Sequence, residues 1–241
     1  YAMNEVNQLE LSRENLTLMT GDAEWYVGTR GGAGDQAAIL FGKRNHLAHI
    51  QFFPLQVDRA PFPEHLTVVA CHSKVEAKKS AGARDIFNGR IVAYELGFLL
   101  WKQKYPHFPE VYHLRDYNVH HLNIPLSELY QMFMELPQFI TRDEAYRQLP
   151  NQREKLDTLF STHAEPAEGY PIRSVVLFGL AECERGLITA DLLHSGNVAT
   201  VGQLMYRSHD GDRVVVHDHD MKPSTFEKKT DDAYFKSLIK G

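Results

Sequence analysis

With 241 residues, 43% of them apolar and 24% charged, the chain has the balance of a folded globular protein, enough for one large domain or two small ones. Lys and Arg number 26 against 31 Asp and Glu, and the net charge of −5 argues against a generic nucleic-acid binder, which needs clustered positive charge. No apolar run approaches the ~20 residues of a membrane-crossing helix, and two cysteines, Cys71 and Cys183, cannot build a disulfide framework or a four-thiolate zinc site. The expectation is a cytoplasmic protein with neither a nucleic-acid nor a membrane partner. The Tyr1 start shows no signal-peptide pattern and reads as the beginning of a piece of something longer.

In chain order, residues 5–20 predict a helix with Val6, Leu9 and Leu16 turned inward. Asp22–Tyr26 reads as a helix end. A glycine-rich turn follows at 28–34, and Ala37–Leu40 reads as a short buried helix. His46–Phe53 and the apolar run Leu66–Cys71 predict two strands. Over 84–103 the spacing of Phe87, Ile91, Tyr94, Phe98 and Trp101 puts all five on one stripe of a long helix. Residues 105–123, rich in Pro, His and aromatics, read as a connection. Leu126, Leu129, Tyr130 and Phe133 share a helical face, and Thr141 with Glu144 has the spacing of a capping box. His163–Tyr170 is a loop before a long helix opened by Pro171, with Val176, Leu180, Cys183 and Leu187 in a stripe. Asn197–Met205 is a further helix. Past Asp210 the chain turns charged and aperiodic, and its last ~25 residues are expected to be poorly ordered.

The least ordinary segment is Gly28-Thr29-Arg30-Gly31-Gly32-Ala33-Gly34-Asp35-Gln36. Its glycines allow positive φ and close approach of a ligand to the backbone. No Lys-Ser or Lys-Thr follows, so it is not a Walker loop. Asp35 has two readings. It is a cap for the following helix, or it is a working carboxylate, favoured in its ionised form by the helix dipole and given room by the glycines.

The run Gly28–Leu55 resembles the galactokinase-type segment of the GHMP kinases, G-x-x-x-G-x-M-D-Q followed by a short helix and a strand. His72-Ser73-Lys74-Val75 stands where that family has N-S-N-V. Leu114-Arg115-Asp116 matches its L-R-D or L-R-E, Val175–Arg185 resembles its R-x-x-H-V-V-x-E-x-x-R helix, and Gly202–His209 is similar to F-G-x-L-M-x-x-S-H. The resemblance implies an α+β fold of GHMP-kinase type. Residues 1–75 would then be the remainder of the N-terminal sheet lobe and 76–241 an incomplete, helix-rich C-terminal lobe. It implies an ATP-dependent sugar kinase acting on an anomeric C1 hydroxyl, with Mg²⁺, a small sugar substrate and Asp35 as catalytic base. Gly32 and Gly34 would lie against the sugar, and Ser73, Lys74 and Lys78 near the nucleotide phosphates.

The resemblance also has gaps. None of the family's three signature motifs occurs in the 241 residues, including the phosphate loop P-x-x-x-G-L-S-S-S, so the chain by itself is expected to be inactive. Arg84 or a neighbour stands where galactokinases carry a sugar-contacting Tyr. It reads either as a partner for a substrate carboxylate or phosphate or as a solvated side chain. Glu76 stands where the family has Arg, with Lys74, Lys78 and Lys79 close by. The alternative function is a kinase-derived protein that binds a sugar or nucleotide without turnover. His217-Asp218-His219-Asp220 has the composition of a metal site but reads as surface, so no metal ligand is assigned. Cys71 and Cys183 read as buried small hydrophobes, and His120-His121 as surface or filler.

Overall fold

A computed structural model describes residues 1–27, 32–72, 74, 81–108, 110–212, 215–220, 222–225 and 229–240. The architecture is α+β and mostly helical, with two small antiparallel hairpins. The elements run α1 (Ala2–Val6), α2 (Arg13–Ala23), a 3-10 turn (Glu24–Val27), α3 (Gly34–Phe41), β1 (His46–Gln51) and β2 (Gln56–Pro61). Then come α4 (Ala81–Lys104), α5 (Val119–Leu122), α6 (Leu126–Glu135), α7 (Arg142–Gln148) and α8 (Arg153–Phe160). The chain ends with α9 (Ile172–His194), α10 (Val198–Asp212), β3 (Val215–His217), β4 (Pro223–Thr225) and α11 (Asp232–Lys240). Two compact units are distinguishable, residues 1–78 with 186–204, and residues 79–185 with 205–241.

In the first unit the predicted single helix over 5–20 is two helices. The break falls at 7–12, where Gln8 and Glu10 take left-handed φ of 50° and 53° and the buried Asn4 side chain pairs with both backbone groups of Leu11. Ser12 then caps α2 by accepting from Asn15 N. Leu16 is buried as expected, but Val6 and Leu9 are exposed, because the break turns their side chains off the helical face. In α3 only Ala37 is fully buried, and Ile39 is 81% exposed, so the expected buried helix is half right.

β1 pairs with β2 from His46↔Pro61 to Gln51↔Gln56. It stops short of the expected Phe53, which adopts a left-handed φ of 60° in the turn before Pro54. The run Leu66–Cys71 is not a strand. Val68 and Val69 are 79% and 76% exposed, and the run has no ladder partner among the described residues. A strand forms where its N–H and C=O groups find another strand. Here the polar segment Gln56–Pro61, returned by a short turn, occupies the place beside β1.

The second unit holds the main core. Its centre is Trp101, Tyr117, Phe133, Leu136, Tyr170, Ile172, Val176 and Phe235. The buried line of α4 runs Asn88–Val92–Leu96–Leu99; of the expected stripe, Trp101 is buried and Phe98 packs on the core, whereas Phe87 is exposed. α4 and α9 approach closely because Gly97 faces Val176 and Gly179 faces Tyr94, leaving no room for a Cβ at either glycine. The 105–123 connection contains a 3-10 turn at Leu114–Asp116 and the short α5. On α6, Leu129 and Phe133 are buried but Leu126 is exposed. The capping box of α7 is present as expected. Cys71 and Cys183 are both exposed, against expectation. The stripe on α9 ends before Cys183, and Leu187 is exposed too. The C-terminal stretch, expected to be loose, forms α11, which packs on α6 and buries Phe235 against Phe133 in a stacked pair 5.2 Å apart.

Candidate functional site

The first unit is organised around α3. Gly21 of α2 lies so close to the start of α3 that a Cβ there would come within 2.6 Å of the Ala33 Cβ. The far end of α3 is well satisfied. Arg59 donates from Nε and Nη2 to Phe41 O at 3.3 and 3.2 Å, and Arg13 donates to Leu40 O at 3.4 Å. These are cations on C-terminal carbonyls, where the helix dipole favours them. The near end differs. Its N-cap is Ala33, whose side chain makes no capping hydrogen bond to the first amides of α3.

Asp35 is the second residue of α3 and is exposed. It is not the N-cap, and it makes no hydrogen bond or ion pair with the described residues. The capping reading of this residue is therefore corrected, since that position belongs to Ala33. Its solvent-facing side of the helix also carries Ala38 and Ile39. Gly32 and Gly34 flank it, and a Cβ on either would meet nothing within 4 Å. Among the described residues, neither position thus needs glycine for packing. Gly28–Gly31 lie outside the described residues.

A pair that the sequence reading passed over holds the first turn. Gln36 Nε2 donates to Glu24 Oε1 at 2.5 Å, tying α3 to the end of α2. The other amide atom, Gln36 Oε1, is buried without a partner among the described residues. The sequence signal was the Gln following Asp35; its partner Glu24 carried none.

Of the other expected site residues, Ser73 and Lys78 lie outside the described residues. Lys74 is exposed and left-handed, with φ of 60°. Its backbone N–H donates to His72 Nδ1 at 2.8 Å. A side chain accepting from the amide two residues on is the geometry of an Asx turn, and left-handed φ suits Asn. An N-S-N sequence meets both demands, and His72 here supplies the same acceptor. Arg84 is exposed on the first turn of α4, in the second unit. The structure brings together Gly32, Gly34 and Asp35.

The second unit has its own polar features. Thr141, Asp143, Glu165, Pro166, Ala167 and Gly169 line an open cavity of about 420 Å³, which contains none of the expected site residues. Beneath it Arg142 donates to Tyr170 Oη at 3.0 Å and to His163 O at 2.7 Å, and Tyr170 Oη is 3.0 Å from His163 Nε2. Asp218, His219 and Asp220 are the one group of three such side chains close enough to share an ion among the described residues, and all three are exposed. The His217 side chain lies outside what the structure describes. Ser208 donates to Glu182 at 2.8 Å, linking the segment similar to F-G-x-L-M-x-x-S-H with the Val175–Arg185 helix. No described helix is long and apolar enough to cross a membrane.

Fold and site thus define a mostly helical α+β chain with an unengaged carboxylate beside open glycines. No family model matches the chain. Among characterised proteins it is 25% identical over 210 residues to a galactokinase of Roseiflexus sp. (strain RS-1), covering 87% of this chain and 42% of that protein. It is 29% identical over 100 residues to a galactokinase of Dictyostelium discoideum, 41% of this chain and 20% of that one. It is 32% identical over 87 residues to a galactokinase of Saccharomyces cerevisiae, 34% of this chain and 16% of that one. The chain spans less than half the length of each of these relatives. The similarities point to a galactokinase-like relationship.

Proposed function

We propose that this chain contributes the base-bearing portion of an ATP-dependent sugar kinase that phosphorylates an anomeric C1 hydroxyl. Residues 1–75 belong to an N-terminal lobe and 76–241 to a helix-rich C-terminal lobe. One observation carries the reading. Asp35 is exposed in the first turn of α3 without a capping role, next to two glycines whose missing side chains leave open space. The collinear resemblance to galactokinases turns that unengaged carboxylate into a candidate base.

In the proposed reaction the sugar's C1 hydroxyl gives its proton to an Asp35 oxygen. The C1 oxygen forms a bond to the γ-phosphorus of ATP, and the bond between that phosphorus and the β–γ bridging oxygen breaks, releasing ADP. The transition state of such a transfer is loose, so orienting the hydroxyl counts for more than base strength. Gly32 and Gly34 leave room for the ring beside the carboxylate. ATP and Mg²⁺ enter through the family alone. Among the described residues no group of three His, Cys, Asp or Glu side chains close enough to hold an ion includes Asp35, so no step is routed through it.

The test is ADP release by the full-length protein with ATP, Mg²⁺ and a panel of aldoses. Sugar-dependent turnover that disappears in Asp35→Asn supports the reading. Sugar binding without turnover supports the non-catalytic sensor, and full turnover in Asp35→Asn overturns the role of Asp35. The 241 residues alone, without a phosphate loop, are expected to release no ADP.

A further inference from the structure

We infer that Glu24 and Gln36 are positioning residues for Asp35, an inference that rests on the proposed role of Asp35 as base. Successive residues of an α-helix are rotated by about 100°. Fixing the azimuth of Gln36 therefore fixes the direction in which Asp35 leaves α3. The burial sequence follows this rotation, with Asp35 exposed, Gln36 half-buried and Ala37 fully buried. The Gln36 amide is held by Glu24 at 2.5 Å, from the residue that caps the C-terminus of α2. On the same side, Gly21 lets α2 close onto Ala33. Together the polar tie and the close contact lock the first turn of α3 onto α2. No side-chain cap does so, because Ala33 offers none.

The cost of this arrangement is visible. Gln36 Oε1 is buried and unpartnered among the described residues, a state that folded proteins tolerate rarely. A Met or Leu would fill the same space without an unpaired acceptor. What glutamine adds is a donor aimed at Glu24. The gain is orientation of the neighbouring carboxylate, and small errors in orientation carry large rate penalties.

The experiment measures kcat and KM for sugar and ATP in the full-length protein, with Gln36→Met, Glu24→Met, Glu24→Gln, the double Met variant and Asp35→Asn. Gln36→Met and Glu24→Met are each expected to lower kcat by about tenfold or more while KM for ATP stays within about twofold. Glu24→Gln keeps an acceptor for the Gln36 amide and is expected to retain most of kcat. The double variant is expected to be no worse than either single one, the signature of a pair acting through one bond. Wild-type kcat in Gln36→Met or Glu24→Met, with Asp35→Asn inactive, overturns the inference and leaves Asp35 as base. Losses that multiply in the double variant overturn it as well. Turnover in Asp35→Asn overturns the underlying reading instead. Should Gln36→Met fail to fold, Glu24→Met against Glu24→Gln decides by the same criteria. Amide exchange at 34–37 gives a second readout, expected to quicken in Glu24→Met and to hold in Glu24→Gln; equal exchange in the two overturns the tie.

Discussion

Arg173 Nη1 lies 2.8 Å from Asp232 Oδ1 and joins the first turn of α9 to the first turn of α11. The same guanidinium donates to Leu136 O, Met134 O and Thr230 O. It thus satisfies the carbonyls at the end of α6 while holding the C-terminal helix over Phe133. The Arg173 side chain is 5% exposed and that of Asp232 is 55% exposed, so the two ends of the pair are unequal. Removing the arginine strands the buried Leu136 carbonyl and two part-buried ones, whereas neutralising the half-exposed aspartate leaves a buried cation that keeps its carbonyl partners. Arg173→Ala is expected to cost about 3 kcal/mol or more, and Asp232→Asn about 1 kcal/mol or less. Urea unfolding of the two variants checks the asymmetry.

That anchor marks where sequence reading fell short. Long-range ties such as Arg173 to Leu136 and Asp232 carry no local spacing, so the C-terminal stretch looked coreless until Phe235 was seen against Phe133. Local signals did well. Thr141 with Glu144, Pro171 before α9 and the strand at His46 are set by chemistry within a few residues. The stripe on α4 holds at its C-terminal end, where Trp101 is buried and Phe98 packs on the core, but Phe87 at the other end is exposed and the small residues Ala93 and Gly97 also face inward. Leu66–Cys71 has strand composition, but its pairing is decided by partners rather than by its own residues. At the site, Asp35 and its glycines stood out in the sequence, whereas Glu24 lay in an ordinary helix end.

Asp35→Ala separates the two sequence readings by stability alone. A helix cap truncated to alanine costs about 1 kcal/mol. An exposed residue that caps nothing is expected to leave unfolding unchanged within about 0.5 kcal/mol. Equilibrium unfolding of the 241-residue chain reads this without any need for activity, and a loss near the cap value would contradict the geometry.

Two glycines around α3 make a sharper contrast. Gly21→Ala drives a methyl to within 2.6 Å of the Ala33 Cβ, and overpacking of this kind costs about 1–3 kcal/mol. Gly34→Ala adds a methyl to open space inside a helix and is expected to be neutral or to stabilise by up to about 1 kcal/mol. The functional order is opposite. In the proposed reaction Gly34→Ala intrudes on the sugar's space and raises its KM, which sugar titration in the full-length protein measures.

Glu144 supplies a pH dependence with a definite sign. Its Oε2 accepts from Thr141 N at 2.8 Å and from Thr141 Oγ1 at 2.9 Å. The Thr141 backbone bond first, and its hydroxyl second, hold the carboxyl below its ordinary value of 4.5. A carboxyl with a depressed folded-state value stabilises the native state above its unfolded value, and the contribution is lost as pH falls through the folded one. Glu144→Gln is therefore expected to unfold at a lower temperature than the parent chain at pH 6–7, with the gap closing below about pH 4. Thermal midpoints across that range test it, and a gap that widens in acid would reverse the assignment.

Tyr117 offers a stabilising change in place of a damaging one. Its ring packs 4.9 Å from Trp101 at the centre of the second unit, where it is fully buried. Its hydroxyl has no hydrogen-bond partner, and burial pushes the phenol well above its usual range. An unpaired hydroxyl in such a place has lost its water without gaining a substitute. Tyr117→Phe removes the orphan and keeps the ring's tilted and edge-on contacts with Trp101 and Phe98, so it is expected to stabilise the chain by about 1 kcal/mol. Denaturant unfolding gives the answer directly. A midpoint that falls would mean that the hydroxyl is satisfied in solution by a group or a water molecule that reaches the core.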